Sequence, residues 1–412
     1  MKKNSLSAFL AIFMFLLNGC KTTDVVQADD HATEIAATQS QNELEEPNFH
    51  SPAFAHSGQP NKIALLLPFS GKHAEAATAL REGFLATHYN GHSQHKPNIQ
   101  IYDTTKSQNI QSLYQTALNE GADFVVGPLS KEDVEQLSQL PPSQMGSPIL
   151  ALNHLSSGRD SPSHFIQFSL SPESEAKQLA HYAWGKGFKT ASVIVPDNAW
   201  GKRIASTFNE QWQSLGGRVL QTVHANPSKD QAAAVRKLLG IDESQKRAND
   251  IEKLISEKVE LKARRQQDMD VIIMAAPPEQ ARQLKPLFDF YYAENVPVYA
   301  TSSVYSGHPS RKRDRDINGV VFCDMPWLLE QQRGDEIQQL LGQRDSTYND
   351  QFKRLFAMGV DAYHLTNRLQ QLQSGTMYAG ATGNLTLENN NHLIHRDLVW
   401  AQIKDGVPVR VN

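Results

Sequence analysis

The sequence predicts a two-lobed α/β protein, each lobe a mostly parallel sheet flanked by helices. Three observations carry this. Runs such as Ile63-Ala64-Leu65-Leu66-Leu67 and Val271-Ile272-Ile273-Met274-Ala275 are apolar at every position, which suits strands buried on both faces. Between such runs lie stretches with apolar residues three and four apart, the spacing of an amphipathic helix. The alternation runs through once by about residue 165 and then begins again. At 412 residues the chain also exceeds what one ordinary core organises.

The folded part opens at Lys62. After the first apolar run, Pro68 stops the strand, Ser70-Gly71 turn the chain, and Ala77, Leu80, Phe84 and His88 trace a helical face. The turn lies at the strand's carboxyl end beside the free N–H groups of the next helix, where open α/β proteins place ligands. Ile99–Tyr102 is the next strand and Gln108–Asn119 the next helix. Phe124-Val125-Val126 ends at Gly127-Pro128-Leu129-Ser130 before a helix from Lys131, and Pro148–Ala151 leads to Asn153.

The second series starts at Phe165–Phe168. Ser171-Pro172 is a helix start, serine as cap and proline in the first turn. Ala191–Val195 exits at Pro196-Asp197, Arg218–Val223 and Val271–Ala275 follow, and Val298–Ala300 leads into Thr301-Ser302-Ser303 and Tyr305. Gly319–Cys323 reads as a strand with a buried, inert thiol at Cys323. Near the end, 384–387 and 398–403 alternate as strands, with turns at Asn389-Asn390-Asn391 and Asp405-Gly406.

Composition narrows the function. Hydrophobic content of 40% and charged content of 20% describe a soluble globular chain, and 44 acidic against 40 basic residues give a net charge of -4. Nothing there favours nucleic acid. With only Cys20 and Cys323, a disulfide framework is excluded.

The first residues read as an export signal. Lys2 and Lys3 precede an apolar core from Leu6 to Leu17, shorter than the roughly 20 residues of a membrane span. Leu17-Asn18-Gly19-Cys20 resembles a bacterial lipobox, so 1–19 is expected to be a lipoprotein signal peptide and Cys20 the lipidated first residue. Lys21 follows where an aspartate would mark inner-membrane retention in that class, so the outer membrane, facing the periplasm, is implied. Residues 20–61, rich in Gln, Ala, Asp, Glu, Ser and Pro, read as a flexible tether with a root-mean-square span of about 35 Å.

Two successive lobes resemble type I periplasmic binding proteins, and the ordered set IALLLPFSG (63–71), FSLSPESEA (168–176), VPDNAWGKR (195–203), LLGIDESQKR (238–247), RRQQDMDVI (264–272), AMGVDAYHL (357–365) and TGNLTLE (382–388) is similar to the LpoA-type activators of penicillin-binding proteins. The better-known members carry a helical repeat domain ahead of this fold, and here a linker stands in that place. The resemblance implies three crossings between lobes. Lobe 1 is then 62–168 with 301–374, and lobe 2 is 169–300 with 375–412, the β tail packing on the second lobe. It also implies a regulator that binds a class A penicillin-binding protein and stimulates its transpeptidation of peptidoglycan.

Catalytic patterns are not met. Ser174–Lys177 and Ser93–Lys96 spell S-x-x-K, but the S-D-N and K-T-G elements that accompany it in penicillin-recognising enzymes do not occur. There is no G-x-S-x-G elbow, Walker A loop or H-E-x-x-H, and His92/His95 and His392/His395 lack partners at ligand spacing. No catalytic residue, cofactor or metal is expected. The strand exits instead define a candidate ligand cleft at Ser70, Gly71, Pro128, Leu129, Ser130, Asn153, Asp197, Ser302 and Tyr305. By analogy with amino-acid-binding relatives of the fold, Ser70 and Ser130 would take a carboxylate and Asp197 an ammonium.

Glu243–Gln267, with Ile251, Leu254, Ile255 and Val259 on one stripe, would project from the second lobe as a place for a partner. The runs Lys262–Arg265 and Arg311–Arg315 suit a solvated face or contact with anionic wall polymer such as peptidoglycan. The competing function is a periplasmic solute-binding protein for an amino acid or short peptide.

Overall fold

The computed structural model describes residues 59–91, 95–107, 109–156, 161–255, 263–330 and 352–411. The signal peptide, Cys20, the tether up to 58 and His92 lie outside the described residues.

β1 (Lys62–Leu67) is buried along nearly its whole length. Its alternate side chains enter two different cores. Ile63, Leu65 and Leu67 pack with Leu80 and Phe84 of α1 (Ala74–Asn90), while Ala64 and Leu66 pack with Tyr114 of α2 (Ile110–Asn119) and Val134 of α3 (Lys131–Leu137). An unbroken apolar run is what a strand with helices on both faces requires. Around it lie β2 (Asn98–Asp103), β3 (Phe124–Val126), β4 (Ile149–Ala151) and β5 (Phe165–Gln167), all parallel.

The second body repeats the plan. β6 (Thr190–Pro196), β7 (Arg218–Ala225), β8 (Val271–Met274) and β9 (Val298–Ala300) are parallel, and β10 (Val321–Asp324) joins β9 in parallel. Its faces are covered by α4 (Pro172–Gly185) and α5 (Ala199–Ser214) on one side, and by α6 (Gln231–Leu239) and α8 (Pro278–Phe290) on the other. The helix starts follow the sequence: Ser171 accepts from Ser174 N, Asn198 from Gly201 N and Asp230 from Ala232 N. α7 (Ile241–Ile255) leaves this body with Leu254 84% exposed.

The division of the later chain between the sheets corrects the expected lobe boundaries. Residues 301–374 were expected in lobe 1, yet β10 lies in the second sheet, Val321 opposite Tyr299. Residues 375–412 were expected in lobe 2, yet β11 (Tyr378–Ala379), β12 (Asn384–Glu388) and β13 (Leu393–Asp397) extend the first, with Leu393 opposite Gln167. Only β14 (Val399–Lys404) and β15 (Val407–Val411) pair onto the second sheet. The orders among the described residues are β11-β12-β13-β5-β4-β3-β1-β2 and β15-β14-β10-β9-β8-β6-β7. Alternation specifies which face of a strand is buried, not which sheet receives it.

The β14–β15 turn is the expected one: Asp405 and Gly406 both have positive φ (51° and 71°), as a two-residue hairpin of this kind needs. After α9 (Pro326–Leu329), the predicted 352–373 helix is two pieces, α10 (Lys353–Leu365) and α11 (Leu369–Gln373).

Candidate functional site

β1, β3 and β4 are parallel neighbours, so their exits share one edge of the first sheet. Ser70, Gly71, Pro128, Leu129, Ser130 and Asn153 all lie there. Ser70 Oγ meets Thr105 Oγ1 at 2.8 Å, and Phe69 N donates to Asp103 Oδ1 at 3.0 Å, tying this turn to the exit of β2. Gly71 has φ +72° with open space around it. Gly127 has φ +106°, and a Cβ there would stand 2.2 Å from Leu66 O, so only glycine brings β3's exit this close to β1. Asn153 Nδ2 donates to Leu129 O at 3.1 Å. Ser130 Oγ caps α3 by accepting from Asp133 N at 3.1 Å.

On the second sheet, Asp197 sits at the exit of β6, while Ser302 and Tyr305 follow β9. β8 lies between, which separates the two groups by two strand steps, about 10 Å. Asp197 is 3.8 Å from Lys202 Nζ, both well exposed, an ion pair of small worth. Ser302 is buried, donating from Oγ and N to Glu175. Tyr305 places its ring in the core against Phe322 and presents its carbonyl instead.

The two carboxyl edges meet where the chain crosses. α4 starts directly beyond β5, and its Glu175 reaches Ser302 beyond β9. His154 Nδ1 lies 2.6 Å from Ser169 Oγ, linking β4's exit to the same crossing. Around it gathers a group of charges that the sequence reading missed: Glu175, Asp324, Arg354, Asp361 and Arg396. Arg354 Nε donates to Asp324 Oδ1 at 3.0 Å, and its Nη2 pairs with Asp324 Oδ2. Arg396 Nε donates to Ser169 O at 2.9 Å and Nη1 to Thr382 O at 3.1 Å. Asp361 accepts from Ala381 N, Thr382 N and Thr382 Oγ1 at 2.6–2.7 Å.

Burial dominates the electrostatics here. It pushes the Glu175 carboxyl up, with Arg396 opposing and Asp324 adding to the shift, and it pushes Asp361 up to about 6. It lowers Arg396, which the Glu175 and Asp361 carboxylates oppose, and it raises the Cys323 thiol well above its ordinary value. Two guanidiniums face three carboxyls, and burial favours the neutral forms of Glu175 and Asp361 among them. Two signals could have found these residues. Asp361 is the one acid in the largely apolar AMGVDAYHL stretch, and Arg396 shares the inward face of β13 with Ile394. Among the described residues no group of three His, Cys, Asp or Glu is placed to hold a metal ion.

Comparison with known proteins places this geometry in a family. The Vibrio vulnificus penicillin-binding protein activator LpoA is 30% identical over 356 residues, covering 84% of this chain and 57% of the relative. The chain thus spans little more than half the length of the curated relatives it matches. The solved structure of the LpoA (YraM) C-domain from Haemophilus influenzae, described as a regulator of PBP1A, superposes with TM-score 0.66 at 26% identity, covering 85% of this chain and all of that one. A structure from Chromobacterium violaceum described as a branched-chain amino acid ABC transporter gives 0.61 at 25% identity, covering 83% of this chain and 99% of that one. The family model described as "LppC putative lipoprotein" matches residues 52–406. The chain belongs to the LppC family.

Proposed function

We propose that this protein is a non-enzymatic regulator of peptidoglycan synthesis. Lipidated at Cys20, it is held in the outer membrane facing the periplasm, binds a class A penicillin-binding protein and stimulates its transpeptidase step. The observation that carries this reading is the match of the two-lobed body to the whole of the Haemophilus influenzae C-domain described as a regulator of PBP1A. The relatives called penicillin-binding protein activators support it over 84% of this chain. A protein without catalytic groups accelerates another's reaction by holding the active conformation more tightly than the inactive one. A tenfold shift in that balance needs a difference of only about 1.4 kcal/mol. The test is a binding titration of residues 20–412, with Cys20→Ser, against a purified class A synthase from the same cell. Saturable, competable binding is expected; none at concentrations up to about 10 μM counts against the proposal.

A solute-binding role is the second reading, favoured by the likeness to the Chromobacterium violaceum protein. The side chains at the strand exits weigh against it. Ser70, Ser130, Asn153 and Ser302 are bonded to their own chain, as caps and loop ties. Thermal-shift screening with amino acids and short peptides separates the two readings. A solute at a hundred times its dissociation constant stabilises by about 2.7 kcal/mol, and a docking body responds to none.

A further inference from the structure

In a two-lobed receptor a bound solute draws the lobes together by bonding to both. In this chain a side chain does so. Arg354 stands in the first turn of α10, which packs on α1 in the first lobe. Its guanidinium crosses to the second lobe. Besides the paired bonds to Asp324 at the end of β10, Nη2 donates to the carbonyls of Ser302 and Tyr305, each at 3.1 Å. These acceptors are the strand exits at which a solute would be expected. The pair is shielded, with Asp324 1% and Arg354 17% exposed.

Other ties lie alongside. Gln178 of α4 donates to Arg396 O at 2.8 Å and accepts from Leu398 N at 3.0 Å, and Trp327 N donates to Ala381 O at 3.1 Å. Beneath them, Cys323, Met325 and Trp327 from one side pack with Phe356, Ala357 and Val360 of α10.

We propose that Arg354 is a built-in latch whose bonds to Asp324, Ser302 and Tyr305 hold the two lobes in one relative setting without a solute. Opening would separate the shielded Arg354–Asp324 pair and take the guanidinium away from the Ser302 and Tyr305 carbonyls, which biases the lobes toward this setting. The latch is a property of the lobes themselves and does not depend on the docking reading.

Pulsed dipolar spectroscopy with no synthase present tests it. Nitroxides are placed at Glu132→Cys on α3 and Glu210→Cys on α5, both exposed, in residues 20–412 with Cys20→Ser; Cys323 is buried and stays unlabelled. The otherwise unaltered chain is expected to give one narrow distance, unchanged by added amino acids. Arg354→Met with Asp324→Asn, which leaves no charge unpaired, is expected to add a longer component in more than about a tenth of the molecules. Arg354→Lys, which keeps the charge but loses the fork, is expected to move the same way. A broad or solute-dependent distance in the unaltered chain overturns the proposal whether or not the variants fold. So does an unchanged narrow distance in a variant whose circular dichroism shows it folded.

Discussion

Gly83 on α1 and Gly359 on α10 each lie against the other helix's backbone. A Cβ on Gly83 would stand 2.0 Å from Phe356 O, and one on Gly359 2.0 Å from Leu80 O. Alanine favours a helix interior by about 1 kcal/mol over glycine, but here either methyl forces the helices apart. Gly359→Ala is expected to destabilise by about 1–3 kcal/mol net, read as a lower urea midpoint. An unchanged or higher midpoint would contradict the close crossing.

Leu65 and Leu66 are consecutive and both fully buried, one in each core of the first lobe. Leu65→Ala and Leu66→Ala should each cost about 2–5 kcal/mol, whereas a strand with one wet face would show the loss at only one of them. Leu254→Ala, at an exposed position of α7, should stay within about 0.5 kcal/mol of the unaltered chain. Chemical denaturation of the three variants checks the set.

Arg282 of α8 and Asp314 form a shielded pair, side chains 11% and 2% exposed, at 2.7 Å. Asp314 also accepts from Ser310 N at 2.9 Å, closing the loop before β10. Asp314→Ala leaves Arg282 with the more distant and exposed Glu279, 3.8 Å away. The expected loss is about 3 kcal/mol, and a double replacement Arg282→Met/Asp314→Ala should cost less than the single one. A double variant no more stable than the single one would argue against a shielded pair.

The pH response of Asp361 has a definite sign. Burial raises its carboxyl from the ordinary 3.8 to about 6, despite the hydrogen bonds from Thr382 and Ala381. The folded chain holds this proton more tightly than the unfolded one. Stability from it is therefore complete below about pH 4 and lost as pH rises through about 6, by at most about 3 kcal/mol. His364 acts in the opposite sense: burial lowers it to about 4, so its contribution is present above about 6.5 and lost as pH falls through about 4. The Asp361 effect is accordingly read as the difference between the unaltered chain and Asp361→Asn. That difference should move against the unaltered chain from pH 4 to pH 7, and a flat difference would contradict the assignment.

The parallel sheets were legible because fully apolar strands such as β1 and β8 have few other homes. The cap at Ser171 was legible because its signal is local. Sheet membership after residue 300 was not. β12 and β14 alternate alike, and what separates them is a long-range partner, β5 reached through β13 for one and β10 for the other. The strand-exit residues Ser70, Ser130 and Asn153 were found because they follow apolar runs. The charges beside them were not, since Arg354 and Arg396 look like surface residues until the crossings bring Asp324 and Ser169 against them.

The most direct test of the central claim is peptide cross-linking by a purified class A penicillin-binding protein from the same cell, on lipid-linked precursor, with and without residues 20–412 carrying Cys20→Ser. The account predicts a higher cross-linked fraction that rises with added protein and saturates. Cross-linking unchanged at saturating protein, with binding to the synthase verified in the same mixture, would contradict it.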